Sequence, residues 1–264
     1  MKPSVLITGA YGGMGKATAD ALAERGYQVF ALDRNVCEAT ENVIPIEADL
    51  TDEGSIEEAF KSVSDLTDGL FAIIHFAGIY MLDSLVEMNS ADFDRIFTVN
   101  LRGAFLINKT FLPLLSKGSR IIITTSELAP LDPLTFTGIY AVTKSALDKY
   151  AYSLRMELQL LGINVSVLRA GAVATSMISA STDALDRFCN NTTLYSCNAK
   201  RFRAIVDSVE ARSIEPCRIA QKVFRILRKK HPRFSYGINR NPLLLMLNIL
   251  PKSLQLKIIE LILR

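Results

Sequence analysis

Histidine and cysteine are scarce in this chain, which has two histidines and four cysteines among 264 residues. The cysteines are Cys37, Cys189, Cys197 and Cys217, and no pair of them has the close spacing that is typical of metal ligands. We therefore expect no zinc site and no other metal site.

An excess of charge of one sign is also lacking. The chain has 30 Lys and Arg against 27 Asp and Glu, which gives a formal net charge of +3. This excess is too small to indicate a nucleic-acid partner, and we expect none. The first apolar run begins a few residues after Met1, which leaves no room for a signal peptide. We therefore expect a cytoplasmic protein.

No uninterrupted apolar run reaches the roughly 20 residues that a helix needs to cross a membrane. The most apolar stretch is the tail, residues 241–264, which Pro251 and Lys252 divide. We predict helices in this tail and leave two alternatives for their contacts. They pack over a binding cleft or another subunit, or they lie on a membrane surface beside the basic residues that precede them. Those basic residues are Lys222, Arg225, Arg228, Lys229, Lys230 and Arg233.

Short apolar runs alternate with helical patterns along most of the chain, without repeats or low-complexity linkers. This alternation predicts a single doubly wound, Rossmann-type α/β domain over residues 1–264, with helices on both faces of a parallel sheet. The predicted strand order is 3-2-1-4-5-6-7. Residues 176–215 are polar and have weak periodicity, so we predict an irregular lid there.

A glycine-rich stretch, Thr8-Gly9-Ala10-Tyr11-Gly12-Gly13-Met14-Gly15, lies between a buried strand pattern and an alanine-rich helical pattern. Glycines let the backbone turn tightly and approach a pyrophosphate, while the first amides of the next helix point at that anion. Many strand-to-helix turns contain glycines for packing only, but this context is the one that a nucleotide-binding turn requires. We therefore predict a dinucleotide site at this turn.

Asp33 ends the second strand pattern, 18 residues after Gly15. In a dinucleotide-binding fold, a carboxylate at that place accepts the hydroxyl groups of the adenosine ribose and repels a 2′-phosphate, which favours NAD. Arg34 follows directly, and it either pairs with the 2′-phosphate of NADP or is a solvated loop charge. We favour NAD over NADP.

Tyr140 and Lys144 are one helical turn apart at the start of a long helical pattern, so they share a face of that helix. A nearby ammonium favours the phenolate and lowers the pKa of the phenol from its usual value of about 10, which suits proton transfer at neutral pH. The Tyr-x-x-x-Lys spacing is common by chance. Here, however, it follows a fifth strand pattern, downstream of a glycine turn.

The wide glycine spacing, Asp33 and the Tyr140–Lys144 pair resemble the classical short-chain dehydrogenase/reductase family, in order and spacing, over residues 4 to about 175. Hydroxysteroid and retinol dehydrogenases are the members that the chain resembles. The resemblance implies hydride transfer between a nicotinamide cofactor and a carbonyl or alcohol carbon. Tyr140 would then exchange the proton, and Lys144 would tune Tyr140 and bind the nicotinamide ribose.

The resemblance also assigns Ser126 the hydrogen bond that polarises the substrate oxygen, and Asn100 the support of a proton-relay water. Ser126 lies 14 residues before Tyr140, one more than the family's usual spacing, which falls on Glu127. A carboxylate cannot stabilise an alkoxide, so we predict a loop one residue longer, with Thr125 as the reserve candidate. For Asn100, a simple helix N-cap is the alternative.

Further cofactor contacts follow from the resemblance. Asp49 and Leu50 would contact the adenine, and Thr175, in the stretch Arg169–Thr175, would contact the nicotinamide carboxamide. His75-Phe76-Ala77-Gly78 stands where the family has Asn-Asn-Ala-Gly, and we interpret His75 as a packed, hydrogen-bonded residue rather than a catalyst. The predicted cofactor-binding residues are Gly9, Tyr11, Gly13, Met14, Gly15, Asp33, Arg34, Asp49, Leu50, Ala77, Gly78, Tyr140, Lys144, Gly171 and Thr175.

The function that we expect is that of an NAD(P)-dependent oxidoreductase acting on an alcohol, ketone or aldehyde of a hydrophobic, steroid-, retinoid- or lipid-like substrate. The alternative is a catalytically idle cofactor-sensing or interaction protein on the same fold. The complete set of Asn100, Ser126, Tyr140 and Lys144 favours the enzyme. The resemblance also predicts a homodimer or homotetramer built on the helices around residues 101–116 and 139–161.

Overall fold

Seven parallel strands form one sheet in the order β3-β2-β1-β4-β5-β6-β7, which confirms the predicted topology. The computed structural model describes residues 2–210 and 213–264. The strands are β1 (Ser4–Thr8), β2 (Gln28–Asp33), β3 (Val43–Glu47), β4 (Leu70–His75), β5 (Leu115–Ser126), β6 (Asn164–Ala170) and β7 (Ser235–Ile238).

Helices cover both faces of this sheet. The α-helices are α1 (Gly13–Ala23), α2 (Glu53–Ser64), α3 (Ser90–Phe97), α4 (Gly103–Phe111), α5 (Gly138–Leu158), α6 (Ser176–Asn191), α7 (Ser196–Glu210), α8 (Pro216–Leu227), α9 (Pro242–Ile249) and α10 (Lys252–Leu263). Buried side chains of α2, α4 and α5 pack on one face, and those of α1 and α8 pack on the other.

The strands are apolar on both sides because each side of the sheet is covered. Leu6 in β1 packs in the cluster with α2, α4 and α5, whereas its neighbours Val5 and Ile7 pack in the cluster with α1 and α8. Successive side chains of a strand point to opposite faces, so a parallel sheet covered on both faces needs continuous apolar strands. The carboxyl ends of all strands meet at one edge, where the predicted site residues lie.

The prediction of an irregular connection over residues 176–215 is wrong, because its described part forms α6 and α7. Thr175 caps α6, since its Oγ1 accepts a hydrogen bond from the Met177 amide. The helix buries only a narrow stripe, Ala184, Leu185 and Phe188, within an otherwise polar sequence. That narrow stripe explains why the periodicity is weak. Residues 211 and 212 of this predicted segment lie outside the described residues.

The helix predicted around residues 101–116 begins and ends earlier than expected. α3 runs through a π turn, Thr98–Arg102, into α4, and β5 already begins at Leu115. Asn100 lies inside the π turn, so the alternative that it caps a helix is wrong. Single π turns inside helices occur frequently at functional sites.

The tail forms the two predicted helices, α9 and α10. α10 packs on α7, where the Asn198 side-chain amide donates a hydrogen bond to the Leu263 carbonyl oxygen over 2.7 Å. α9 packs beside the loop that follows β5, where the Asp132 amide donates to Asn248 Oδ1 over 2.7 Å. Within the described residues, no helix combines the length and the apolar character needed to cross a membrane.

Candidate active site

The carboxyl end of β1 turns into α1 through glycines that leave no space for a side chain. Gly9 has a φ of 67°, and a Cβ there would lie 2.6 Å from the Ala77 nitrogen. A Cβ on Gly15 would lie 2.0 Å from the Gly9 carbonyl oxygen. The helix begins after Gly12, which has no side chain to cap its first amides. These amides can therefore bind an anion, and the turn fits the pyrophosphate of a dinucleotide.

A cleft of about 1360 Å³ runs along the carboxyl edge of the sheet and includes the glycine turn. At one end of it, Asp33 Oδ2 accepts a hydrogen bond from the Tyr11 amide at 3.0 Å, and Oδ1 accepts one from the Arg34 amide at 2.8 Å. These bonds hold the carboxylate at the rim, where its other lone pairs can accept ribose hydroxyl groups. The predicted cofactor residues that line this cleft are Gly9, Tyr11, Gly13, Met14, Gly15, Asp33, Arg34, Asp49, Leu50, Ala77, Gly78 and Thr175.

Ser126, Tyr140 and Lys144 converge at the same edge of the sheet. Ser126 ends β5, and its side chain lies near enough to the Tyr140 phenol to lower the pKa of that phenol. Lys144 lies one turn further along α5, with its Nζ 5.7 Å from the centre of the Tyr140 ring. This Nζ donates to the Thr124 carbonyl oxygen over 3.4 Å, a long hydrogen bond. The arrangement places a hydroxyl, a phenol and an amine around one point.

Asn100 joins this group through the π turn. Its Oδ1 accepts a hydrogen bond from the Ile79 amide at 2.8 Å, and its Nδ2 donates to Thr143 Oγ1 at 3.2 Å. A Cβ on Gly78 would lie 3.1 Å from Asn100 Oδ1 and 3.3 Å from Lys144 Nζ. The amide and the amine therefore face the same glycine, on the wall of the cleft.

Burial shifts the pKa values of Tyr140 and Lys144. The side chains of Tyr140 and Lys144 are almost completely buried. Burial raises the pKa of Tyr140 to about 12, and the nearby Ser126 side chain offsets this only in part. Burial also lowers the pKa of Lys144 to about 8. The pKa of Tyr140 is therefore raised in this structure and not lowered as we predicted, because the phenol is desolvated.

The burial of Tyr140 comes from the segment that follows β4. The ring of Tyr80 lies over that of Tyr140, with 4.9 Å between the ring centres and 55° between the planes. Met81 and Met88 pack into the same cluster. Tyr80 lines the cleft, whereas Tyr140 does not. The structure therefore shows the site with its phenol covered.

α6 forms the opposite wall of the cleft, with Met177 and Phe188 facing Met81 and Leu82 of the segment after β4. The two walls are linked by Glu87. Its Oε2 accepts a hydrogen bond from the Thr192 hydroxyl at 2.7 Å, and its Oε1 accepts from the amides of residues 193 and 194 at 2.9 and 3.1 Å. These hydrogen bonds lower the pKa of Glu87 to about 2. The Glu87 carboxylate therefore acts as a latch: its hydrogen bonds hold the turn between α6 and α7 against the wall formed by the segment after β4.

Gly171 and Thr125 do not line the cleft, and neither do Tyr140 and Lys144. A Cβ on Gly171 would lie 1.9 Å from the Asn239 carbonyl oxygen, so this glycine accommodates the connection after β7 and does not line the cleft. Thr125, the reserve for Ser126, directs its hydroxyl to Asp148 Oδ1 at 3.3 Å. Asp148 also forms an ion pair with Arg169 at 2.8 Å. Thr125 is therefore occupied on the far side of β5.

The interpretation of His75 as a packed residue is confirmed. Its ring is buried, and its Nε2 lies 3.0 Å from Asn108 Oδ1. Burial lowers the pKa of His75 to about 4. Nowhere in the described ranges do three or more His, Cys, Asp or Glu side chains come together as a metal site would require. No described residue of the tail lines the cleft either.

Comparison with known proteins gives the family. Residues 3–186 match the family model described as short chain dehydrogenase. The chain belongs to the short-chain dehydrogenase family. The matched residues include Asn100, Ser126, Tyr140, Lys144 and the whole glycine turn. Members of the short-chain dehydrogenase family use NAD or NADP, and the cleft described above fits such a cofactor.

Two curated relatives in the short-chain dehydrogenase family illustrate the similarity. The NADPH-dependent 1-acyldihydroxyacetone phosphate reductase of Schizosaccharomyces pombe is 32% identical over 182 residues, 66% of this chain and 61% of that protein. Estradiol 17-beta-dehydrogenase 2 of Mus musculus is 31% identical over 198 residues, 70% of this chain and 51% of that protein. The alignments therefore span only 61% and 51% of the relatives' lengths.

A solved structure of a dehydrogenase/reductase from Sinorhizobium meliloti 1021 has the same fold. It is 25% identical to this member of the short-chain dehydrogenase family, with a TM-score of 0.70, and the match covers 89% of this chain and 93% of that one. The fold similarity thus extends beyond the residues that the family model matches.

Sequence reasoning missed three residues of this short-chain dehydrogenase site. Gly12 precedes the first turn of α1, and its place in the glycine run was a usable signal. Tyr80 and Glu87 had no such signal. Their contacts depend on how the segment after β4 packs against α5 and against the α6–α7 turn.

Proposed function

We propose that this protein is an NAD(P)-dependent oxidoreductase that interconverts an alcohol and a ketone or aldehyde on a hydrophobic substrate. The observation that carries the proposal is the convergence of Ser126, Tyr140 and Lys144 beside a cleft that contains the glycine turn. Acid, hydrogen-bond donor and amine are the groups that such a reaction requires around one oxygen atom.

Each residue has a distinct proposed role. A bound nicotinamide cofactor supplies or accepts the hydride. Tyr140 Oη gives a proton to the substrate oxygen in reduction and takes it back in oxidation. Ser126 Oγ donates a hydrogen bond to the same oxygen, where negative charge develops. Lys144 holds the ribose and favours the phenolate, and Asn100 fixes the segment that carries Gly78.

NAD is the proposed cofactor, because Asp33 is held at the rim of the cleft by the Tyr11 and Arg34 amides. A fixed carboxylate there binds two ribose hydroxyl groups and repels a 2′-phosphate. Arg34 also lines this end of the cleft, so NADP is the alternative.

The substrate is proposed to be steroid-, retinoid- or lipid-like. Met81, Leu82, Met88 and Phe188 contribute apolar surface to both walls of the cleft, which polar residues such as Asp83 and Arg187 also line. The apolar side chains can bury the apolar surface of a lipid-like molecule. The names of the two relatives, one a 1-acyldihydroxyacetone phosphate reductase and one an estradiol 17-beta-dehydrogenase, are compatible with this class.

The experiment that tests the function is turnover of NAD(H) and NADP(H) with a panel of steroid, retinoid and fatty carbonyl compounds. We expect turnover in the wild type and a loss of about 10²–10⁴-fold in kcat for Tyr140→Phe, with cofactor binding nearly intact. Tyr152→Phe, in an exposed position on the same helix, is the matched control. Cofactor binding without any turnover across the panel would instead support the idle, cofactor-sensing alternative.

A homodimer or homotetramer is part of the proposal. Phe105 of α4 and Val142 of α5 are exposed, and a shallow apolar groove lined by Leu101, Phe105 and Tyr150 runs between these helices. Light scattering at low protein concentration tests this, with Phe105→Glu as the variant expected to dissociate the oligomer. A monomer mass for the wild type would exclude the proposal.

We also propose that the protein is cytoplasmic and contacts a membrane surface peripherally. Leu243, Met246 and Ile249 form the outer face of α9 and are 62%, 65% and 82% exposed. Exposed apolar helices bind the headgroup boundary of a bilayer. Flotation with anionic liposomes at low salt tests this, with a triple Ser substitution at these positions as the non-binding control. Failure of the wild type to float would exclude it.

A further inference from the structure

Glu127, which follows Ser126 directly, has a buried carboxylate with no role in the reaction described above. Its side chain is 8% exposed, and its Oε2 accepts a hydrogen bond from the Asn241 amide. Asn241 caps α9 with its own side chain, since its Oδ1 accepts from the Leu243 amide at 2.9 Å. A carboxylate at a helix N-terminus is favoured by the helix dipole, and two acceptors thus satisfy the start of α9.

The other end of α9 is bound to the same loop. The Asp132 amide donates to Asn248 Oδ1 at 2.7 Å, and the Asp132 carboxylate pairs with Lys252 at 3.1 Å. The loop after β5 is therefore attached to the start of α9 through Glu127 and to its end through Asp132.

This loop connects Ser126 and Tyr140, two of the residues that converge at the site. Ser126 is the last residue of β5, and Tyr140 lies in the first turn of α5. Ser126 also holds the start of the loop, because its Oγ accepts from the Leu128 amide at 3.2 Å and its carbonyl oxygen accepts from the Ala129 amide at 3.0 Å. A displacement of the loop therefore moves the Ser126 hydroxyl relative to the phenol.

We propose that α9 braces the loop between Ser126 and Tyr140, and that Glu127 is a positioning residue that sets the place of the Ser126 hydroxyl relative to the Tyr140 phenol through the Asn241 amide. This inference rests on the proposed function for its kinetic consequence. It also explains how the chain tolerates a carboxylate where the usual spacing of its family would place a serine. The longer loop turns Glu127 away from the phenol and toward the tail.

The alternative explanation is that Glu127 and α9 stabilise the fold without affecting the site. The two explanations predict different effects when the Glu127–Asn241 bond is broken. If α9 braces the loop, breaking this bond makes the residues after Ser126 more mobile and lowers the rate of the chemical step. Simple stabilisation changes only the melting temperature.

The test uses the full-length protein and a set of matched variants. Glu127→Ala removes the acceptor, and Glu127→Gln keeps an oxygen that can accept from the Asn241 amide. Asn241→Pro removes the donor at a position whose φ of −77° suits proline, and Asn241→Ala keeps the donor while removing only the cap. Circular dichroism melting establishes that each variant is folded at the assay temperature.

The first readout is hydrogen exchange of the Leu128 and Ala129 amides, which needs no turnover. We expect faster exchange in Glu127→Ala and Asn241→Pro, and near wild-type exchange in Glu127→Gln and Asn241→Ala. The second readout is steady-state kinetics. In the first two variants kcat should fall about 10-fold to 100-fold while the Kd for NAD is unchanged, because misplacement of a reacting group affects the chemical step.

The double variant Glu127→Ala/Asn241→Pro should lose no more than either single variant, since both remove the same bond. Folded Glu127→Ala and Asn241→Pro proteins with wild-type exchange at Leu128 and Ala129 would overturn the proposal. An absence of turnover in the wild type would refute the proposed function instead, and the exchange experiment would still decide on the brace.

Discussion

The ring of Tyr80 lies 4.9 Å from the ring of Tyr140 and separates it from the cleft. In the proposed mechanism, a substrate oxygen reaches the Tyr140 hydroxyl to exchange a proton with it, so Tyr80 must move when substrate binds. The packing of Tyr80, Met81 and Met88 against Tyr140 contributes to its burial, and burial raises the pKa of Tyr140 to about 12.

Replacing Tyr80 by Ala is expected to lower the pKa of Tyr140 toward its ordinary value of about 10, because water then reaches the phenol. Ultraviolet titration measures this pKa as the difference between Tyr80→Ala and the double variant Tyr80→Ala/Tyr140→Phe, which lacks the phenol. The pH dependence of kcat should shift in the same direction. Tyr152→Ala, which removes an exposed tyrosine from α5, is the control. An unchanged titration in Tyr80→Ala would show that Tyr80 does not shield the site.

Replacing Glu87 by Ala is expected to release the turn between α6 and α7, because four donors of residues 192–194 lose their acceptor. The KM for an apolar substrate should rise several-fold with little change in kcat, since the wall of the cleft changes and the reacting groups do not. Limited proteolysis near residue 193 should become faster. Glu57→Ala, on the exposed side of α2, is the control, and equal proteolysis of the two variants would exclude a latch.

The fold could be predicted from the sequence because its signals are local and repeated. Val5, Leu6 and Ile7 form a continuous apolar run, and most of the seven strands are separated by helices, which leaves few topologies. The glycine turn and the Tyr140–Lys144 pair were equally accessible, because each lies within a single turn or helix. Their chemistry depends on spacing within one element.

What the sequence did not predict depends on contacts between distant segments. Tyr140 is packed against Tyr80, 60 residues earlier, and Glu127 is hydrogen-bonded to Asn241, 114 residues later. α6 was missed because only Ala184, Leu185 and Phe188 are buried, so tertiary packing and not periodicity stabilises it. Neither kind of information is present in a short window of sequence.

Replacing Asp33 by Ala is expected to weaken NAD binding about 10-fold to 100-fold, the range of one or two hydrogen bonds to a charged acceptor. NADP binding should weaken less or improve, because the repulsion of its 2′-phosphate is removed. Fluorescence titration of both reduced cofactors measures the ratio of their Kd values. Arg34→Ala is the complementary variant and should weaken the binding of NADP but not of NAD. Tighter binding of NADP than of NAD by the wild type would contradict the proposed preference for NAD.

The stability of the protein is expected to fall between pH 6.5 and about 4 through His75. Its folded-state pKa of about 4 lies below the ordinary histidine value of 6.5, so the unfolded chain binds more protons in that window. The contribution is therefore fully present above pH 6.5 and is lost as the pH falls through the folded-state value. A shift of this size corresponds to roughly 3 kcal/mol of unfolding free energy, an order-of-magnitude figure.

Urea unfolding of the wild type and His75→Asn across pH 4–7 measures this contribution. The variant is less stable at pH 7, because it loses the packed ring and the bond to Asn108, but its stability should fall less steeply toward pH 4. The carboxylates titrate in both proteins, so the difference between the two curves isolates His75. His231 is exposed and is the other histidine of the chain, so His231→Gln should leave the wild-type curve unchanged. Parallel curves for the wild type and His75→Asn would mean that His75 is protonated as easily in the folded protein as in the unfolded chain.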